Sequence, residues 1–410
     1  MSLQNPNLKH LRACLAVARR QSISAAAEDV YMSQPAVTQA VAKVERLLGV
    51  ELFDRRPEGV FVTEPGKIFV RRVERLQDYL VQATAEIMRL GRRNRGHQVK
   101  LYQLVTGVQL RALIAISEAG SFSLAARNVG VSQPSLHRAA RELEQLCAVP
   151  LFEKASTGIL LTKQAETFVM FAKLALVELG QAEDEIASWK GGRGGRIVIG
   201  SMPLARSAIL PNALNAIMEE FPDTRLRVVD GPYQDLLFGL RHGDIDMLIG
   251  ALRDPVPVDD VLQSKLFDDP LAIVGRVHHP LTKQKNITPP DLAAYGWAGP
   301  LRGAPTRDYF ETMFPVDKAV RPKSIVETGS LILIRRMLST SDKLTIISRH
   351  QIMQEEKYGE LKRLPIDLPY TERPIGLTVR KGWSPTSIQQ NLMERLEAIS
   401  QNIDTLWWGR

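Results

Sequence analysis

Leu11-Arg12-Ala13…Ser22-Ile23-Ser24-Ala25-Ala26-Ala27…Ser33-Gln34-Pro35…Glu45…Leu52-Phe53 returns 99 residues later as Leu110-Arg111-Ala112…Ser121-Phe122-Ser123-Leu124-Ala125-Ala126…Ser132-Gln133-Pro134…Glu144…Leu151-Phe152. No gap is needed from Leu11 to Val70, and 22 of those 60 positions are identical, far above chance for a shared period. Two copies are too few to stack as a solenoid, so the repeat is a duplicated small domain.

Within the first copy, Leu8 to Arg19 carries the apolar spacing of a helix. Ser22 can cap a second short helix running to Val30. Ser33 can cap a third, with Pro35 tolerated in the first turn because its missing N–H would have no intrahelical partner. On that third helix Val37, Ala40, Val41, Val44, Leu47 and Leu48 form the inner face, leaving Gln34, Pro35, Thr38, Gln39 and Lys43 outside. Leu52-Phe53 and Val60-Phe61-Val62 read as two short strands around Arg55-Arg56-Pro57-Glu58-Gly59, a wing. The second copy repeats the pattern. Leu136, Ala139, Ala140, Leu143 and Leu146 face inward, and Gln133, Pro134, Ser135, His137, Arg138 and Arg141 face outward. Each copy therefore reads as a winged helix-turn-helix.

A long amphipathic helix is predicted after each copy, from about Pro65 to Leu90 and from about Gln164 to Trp189. Val70, Val73, Leu76, Leu80 and Ile87 in the first, and Phe168, Phe171, Leu174, Val177 and Ile186 in the second, leave apolar stripes with nothing local to cover them. Each stripe is expected to be a dimerisation surface, in a homo-oligomer. Gly191-Gly192-Arg193-Gly194-Gly195 is the clearest linker. Beyond it, predicted strands (196–200, 225–230, 246–250, 270–275, 324–328, 344–348, 376–380) alternate with predicted helices (209–220, 235–241, 307–314, 331–339, 386–402). That alternation indicates parallel βαβ units, enough for two small subdomains with a ligand-binding cleft between them.

The composition excludes several classes. No apolar run is long enough to span a membrane, and Met1–His10 has no apolar signal-peptide core. The two cysteines, Cys14 and Cys147, fall at inward helix positions and read as buried core thiols, in keeping with a cytoplasmic protein. The seven histidines show no metal-ligand spacing, and neither a P-loop nor a GxSxG element is present, so no enzyme, metal or cofactor is expected. The net charge of +8 is localised. Residues 1–100 hold 17 Lys and Arg against 10 Asp and Glu, a net of +7, while residues 101–195 hold 9 against 9. A polyanion is the expected partner of the first copy.

The outward face Gln34, Thr38, Gln39, Lys43 has a direct use on double-stranded DNA. A glutamine amide can make paired hydrogen bonds to adenine in the major groove, while hydroxyls and cations position the helix on phosphates. Residues expected to contact DNA are Ser33, Gln34, Pro35, Thr38, Gln39, Lys43, Arg55 and Arg56 in the first copy. In the second they are Ser132, Gln133, Pro134, Ser135, His137, Arg138 and Lys154.

Leu11…Ser24-x-Ala26-Ala27…Ser33-Gln34-Pro35-Ala36-Val37-Thr38…Glu45…Leu48-Gly49…Leu52-Phe53-x-Arg55…Thr63-x-x-Gly66 resembles the winged helix-turn-helix of LysR-type transcriptional regulators. Pro211, Phe221-Pro222, Leu240-Arg241-x-Gly243-Asp244-Ile245-Asp246 and Ile249-Gly250 resemble the effector domain of the same family, which is similar to type 2 periplasmic binding proteins. The family pattern covers residues 103–410 once; residues 1–102 are an additional copy in front. The resemblance implies two all-α winged helix-turn-helix domains with long linker helices, followed by an α/β two-subdomain effector-binding domain. The expected boundaries are 1–64, 65–102, 103–163, 164–195 and 196–410. It also implies binding of operator DNA and a small catabolite, assembly as a tetramer, and RNA polymerase as a candidate partner. Ligand contacts are expected at Ser201, Gly250, Arg302, Thr306, Ser330 and Ser348.

The second copy departs from the motif. Gly49 becomes Ala148, Gly66 becomes Ala165, Arg55 becomes Lys154, and the next wing arginine becomes Ala155. The first copy is therefore expected to be the main reader, with the second either reading a further half-site or serving in dimerisation. Two other classes stay open at this level. One is an interaction protein whose helix-turn-helix units serve oligomerisation, the other a binding or catalytic α/β protein.

Overall fold

The computed structural model describes residues 7–90, 101–156, 158–207, 209–317 and 319–402. Residues 1–6 and 91–100, the latter inside the expected first linker, lie outside the described residues. The chain forms two compact units, the first built essentially from residues up to Arg196 and the second from those after it.

The first unit opens with α1 (Leu8–Arg20), α2 (Ile23–Asp29), α3 (Gln34–Leu48), β1 (Phe53–Arg56), β2 (Gly59–Val62) and α4 (Glu64–Leu90). After α5 (Leu101–Leu104) the same series recurs as α6 (Gly107–Ala119), α7 (Phe122–Val129), α8 (Gln133–Cys147), β3 (Phe152–Ala155), β4 (Gly158–Leu161) and α9 (Lys163–Trp189). Each junction follows from the residues that occupy it. Ser22 caps α2 by accepting from the N–H of Ala25, and Ser33 caps α3 by accepting from that of Ala36. The α3 helix stops at Gly49, whose φ of 65° closes the C-cap. Its inner face is buried as the spacing requires: Val37, Ala40, Val41, Val44 and Leu48 all lie in the core.

Two details of the wing differ from the sequence reading. Arg55 and Arg56 lie on strand β1, paired with Val60 and Gly59, so the turn is confined to Pro57 and Glu58. The hairpin closes earlier than the polar run suggests because an arginine on an exposed strand keeps its charged end in water while its stem covers apolar surface; Arg56 lies over the Phe61 ring at 5.3 Å.

The larger correction concerns α4 and α9. Their apolar stripes are expected to be dimerisation surfaces, and in the structure they cover each other inside one chain, except that Leu174 and Val177 of α9 lie beside Gly243. The two helices run antiparallel, with Phe69, Val73, Leu76, Leu80, Ala83 and Ile87 of α4 in the same core as Ala165, Phe168, Val169, Ala172, Ala175, Leu179 and Ile186 of α9. Each fully buried leucine or valine there contributes roughly 1.5–3 kcal/mol. The pairing partner of the first stripe is the equivalent helix of the second copy.

The second unit begins with β5 (Arg196–Ser201), α10 (Ile209–Glu220), β6 (Arg225–Asp230), α11 (Tyr233–Arg241), β7 (Met247–Ala251), β8 (Val261–Asp269) and β9 (Leu271–Arg276). It continues with α12 (Pro289–Ala293), β10 (Trp297–Gly299), α13 (Pro305–Met313), β11 (Ile325–Glu327), α14 (Leu331–Ser339), β12 (Leu344–Ser348), α15 (Met353–Lys357), β13 (Leu361–Arg363), β14 (Arg373–Arg380) and α16 (Ser387–Gln401). Two five-stranded sheets result, ordered β6-β5-β7-β14-β8 and β11-β10-β12-β9-β13. They are mixed rather than purely parallel. β5 and β7 are parallel, as are β10 with β11 and β12, whereas β14 and β9 run antiparallel to their neighbours. The chain passes from the first sheet to the second between β8 and β9 and returns between β13 and β14. Among the described residues no helix is long and apolar enough to cross a membrane.

Candidate nucleic-acid interface and ligand-binding subdomains

Three sets of bonds recur in both heads, although Ser121, unlike Ser22, makes no side-chain cap bond. Glu45 reaches from α3 to accept from the backbone N–H groups of Leu52 (2.9 Å) and Phe53 (3.2 Å). Glu144 does the same from α8 to Leu151 (2.9 Å) and Phe152 (3.2 Å). Thr63 donates to the carbonyl of Glu51 and caps α4 by accepting from Gly66; Thr162 donates to the carbonyl of Pro150 and caps α9 by accepting from Ala165. The second strand of each wing is tied to the end of the first helix, Val60 to the Gln21 carbonyl and Ile159 to that of Gly120. The two glutamates belong to the repeated pattern, but their role as the bolt between helix and wing was not foreseen.

On this frame Gln34, Pro35, Gln39 and Lys43 are exposed on α3, with Thr38 half-buried among them, and Arg55 is exposed on the wing. Ser33 spends its hydroxyl on the helix cap. Arg56 is held by Asp54 at 2.7 Å. In the second head Gln133, Pro134, Ser135, His137, Arg138 and Lys154 are exposed. Ser132 caps α8 and exchanges a hydroxyl hydrogen bond with Ser135 at 2.8 Å, and the His137 ring packs on Phe122 with centroids 5.0 Å apart. Gln133, Pro134, His137, Arg138 and Arg141 line one surface depression. Each head thus presents the N-terminal half of a polar helix beside a short two-stranded wing, a shape and chemistry suited to the major groove and the phosphates flanking it.

The heads differ where the sequence departs from the motif. Ala148 keeps the left-handed conformation of Gly49, at φ 53°. A Cβ added at Gly66 would lie 2.1 Å from the Leu52 carbonyl oxygen, yet the equivalent Ala165 is fully buried in the second head, which has made room for it. Both thiols are buried, and burial, reinforced by Glu45 for Cys14 and by Glu144 for Cys147, pushes each pKa up to about 12.

Expected ligand contacts in the second unit lie on or beside both five-stranded sheets. Ser201 is buried at the carboxyl end of β5, beside Ile249 of β7, and Gly250 follows on β7. A Cβ at Gly250 would meet the Met202 side chain at 2.5 Å, so glycine lets Met202 lie across the strand. Arg302 is exposed between β10 and α13, Thr306 is half-buried in the first turn of α13, and Ser330 is exposed as the N-cap of α14, accepting from Leu333. Ser348 is buried and donates to the Asp269 carboxylate at 2.5 Å. That carboxylate also binds His350 Nδ1 at 2.8 Å and the guanidinium of Arg373. Asp269 ends β8 and Arg373 begins β14, so the cluster ties the two crossings between the sheets together. Periodicity alone could not have assembled it from three distant segments.

Two family descriptions match the chain. The LysR substrate binding domain matches residues 190–399, and the bacterial regulatory helix-turn-helix protein of the lysR family matches twice, at 8–67 and 108–166. The chain is 31% identical over 382 residues to the HTH-type transcriptional regulator GalR of Pseudomonas putida, covering 93% of this chain and 94% of that protein. It is 28% identical to the HTH-type transcriptional regulator PcaQ of Agrobacterium fabrum, covering 96% of that protein but 73% of this chain. Among solved structures, a full-length OxyR from Pseudomonas aeruginosa carrying a cysteine-to-aspartate substitution shares the fold, with a TM-score of 0.54 at 22% identity over 71% of this chain and 97% of that one.

Proposed function

The chain belongs to the LysR family, DNA-binding transcriptional regulators with a substrate-binding domain, and on that premise we propose a ligand-responsive regulator with two DNA-reading heads on each chain. The observation that carries this reading is the pair of exposed polar helices, α3 and α8, each bolted to a wing by a glutamate. The first head is the stronger reader, because the sequence excess of +7 lies in residues 1–100 and phosphate neutralisation supplies most non-specific affinity. Replacing Gln34 or Arg55 by Ala is expected to cost about 1–3 kcal/mol each in specific binding, and Gln133 or Lys154 less.

A small polar ligand is proposed to bind between the two subdomains of the second unit, near Ser201, Gly250, Thr306 and Ser330, with Arg302 able to pair with a carboxylate. Ser348, whose hydroxyl is bonded to Asp269, is proposed as a further contact. Such a ligand acts as a switch only if it prefers one arrangement of the protein; a tenfold preference corresponds to about 1.4 kcal/mol. Assembly into a tetramer is proposed through surfaces other than the stripes of α4 and α9, which are already covered.

The test is duplex binding by the full-length chain at rising salt, with a metabolite panel added in a second series. Regulators of this kind lose affinity linearly in log salt, with a slope near −0.9 per phosphate neutralised. Ser201→Ala and Ser330→Ala are expected to weaken the metabolite response while sparing ligand-free binding. Salt-independent or absent DNA binding would sink the proposal.

A further inference from the structure

The packing of α4 on α9 contains two contacts that are images of each other under the 99-residue repeat. Arg72 donates to Glu178 at 2.8 Å. The residue equivalent to Arg72 is Phe171, and the residue equivalent to Glu178 is Tyr79. Those two also meet, with ring centroids 6.4 Å apart. When residue i of one helix touches residue j of the other, and the counterparts of j and i touch in turn, the helices are related by a two-fold exchange, the geometry of an isologous dimer. Here it is completed within one chain.

The geometry is symmetric and the chemistry is not. At one end Arg72, fully buried, binds Glu178, Gln181 (2.6 Å) and Glu185 (2.8 Å), while Arg75 supplies a second bond to Glu178 at 2.8 Å. At the other end two aromatic rings meet. Pairing two first copies would set Arg72 opposite Tyr79 twice, and pairing two second copies would set Glu178 opposite Phe171 twice. The second arrangement buries Glu178 and Glu185 with no cation, since Met170, Phe171 and Leu174 stand at the places of Arg71, Arg72 and Arg75; the first keeps Glu86 at the place of Glu185 for Arg72 but has Tyr79 where Glu178 would be. The full network of Arg72 and Arg75 with Glu178 and Glu185 forms only between unlike copies.

The recognition faces held by this interface are also unlike. The exposed positions Gln39 and Lys43 of α3 correspond to Arg138 and Glu142 of α8, both exposed as well. A glutamine pairs best with adenine and an arginine with guanine.

We propose that the α4–α9 pair makes a single chain a complete two-headed reader of an asymmetric operator, with two unlike half-sites engaged per chain in a fixed order. This rests on the DNA-binding reading above. The experiment selects duplexes from a random pool with the full-length protein and with the variants Gln39→Arg and Arg138→Gln. The selected duplex is then examined by native mass spectrometry to count chains per half-site. The expected motif has two different halves, with two half-sites per chain. Gln39→Arg should move the preference from adenine to guanine in one half only, by about tenfold or more. Arg138→Gln should do the reverse in the other half only. A palindrome altered in both halves by Gln39→Arg and in neither by Arg138→Gln would overturn the inference while leaving DNA binding intact, as would one half-site per chain. Failure to enrich any sequence would remove the DNA-binding reading, and this one with it.

Discussion

Arg72 and Glu178 lie 106 residues apart in the chain and form a hydrogen-bonded ion pair at 2.8 Å with their side chains 0% and 3% exposed. Burial works against the Arg72 charge. Hydrogen bonds and the charges of Glu185 and Glu178 outweigh it and hold the guanidinium above its ordinary pKa. A buried pair of this kind adds little or no net stability against a well-packed apolar replacement, but removing one partner leaves the other buried with fewer compensating bonds.

Arg72→Met is accordingly expected to destabilise the first unit by about 1–3 kcal/mol, because Glu178 and Glu185 stay buried and lose their shared cation while Arg75 still holds Glu178 and Arg71 still holds Glu185. Arg72→Met combined with Glu178→Met should lose less than the sum of the two single changes, since the pair is coupled. Denaturant unfolding followed by a probe in the first unit decides this. Additive losses would show that the network contributes no coupling.

The copies also differ in ways that single substitutions can exchange. Ala148 sits at φ 53°, where a Cβ is strained and glycine is not. Ala148→Gly is expected to stabilise the second head by about 1 kcal/mol. Gly66→Ala brings a Cβ against the Leu52 carbonyl and should cost the first head about 1–3 kcal/mol. Shifts of the opposite sign in unfolding midpoints would mean that the backbone relaxes freely at these sites.

Much of this architecture was legible because periodicity and capping act locally. The inner face of α3, the caps at Ser22, Ser33 and Ser132, and the bounds of β6, β12, α10 and α14 could be read from neighbouring residues alone. Strand β8 was not, because Lys265 and Asp268 break its apolar alternation and form an ion pair at 2.5 Å on the exposed side. β10 is three residues long, too short for any period. The pairing of α4 with α9 escaped for a different reason. A stripe of Val73, Leu76 and Leu80 declares that something covers it but not what, and Arg72 beside the stripe reads as a solvated charge until Glu178 and Glu185 are seen to meet it. The Asp269 cluster was hidden likewise, since Ser348, His350 and Arg373 reach it from distant segments.

The thiols offer a check on the cores of both heads. Burial holds Cys14 and Cys147 at a pKa of about 12, so the reactive thiolate is scarce at pH 8. Neither should react with iodoacetamide in the native protein over an hour at that pH, and both should react on denaturation. Modification of Cys147 alone under native conditions would show that the second head opens locally.

The wing provides the sharpest contrast between neighbouring residues. Arg55 and Arg56 are both exposed on β1, but Arg56 is held by Asp54 at 2.7 Å and lies over Phe61. To reach a phosphate, Arg56 must surrender that ion pair, so part of its gain is offset; exposed pairs contribute about 0–1 kcal/mol. Arg55→Ala should therefore reduce the slope of log affinity against log salt by about 1, the signature of one lost phosphate contact, while Arg56→Ala should reduce it by less. Lys154→Ala in the second wing, where the next position is already Ala155, should give an intermediate change if both heads are on the duplex. Titrations at several salt concentrations measure all three slopes. A larger effect from Arg56 than from Arg55 would mean that the wing turns on the DNA so that Asp54 no longer holds its partner, and an unchanged slope for Lys154→Ala would place the second wing away from the phosphates.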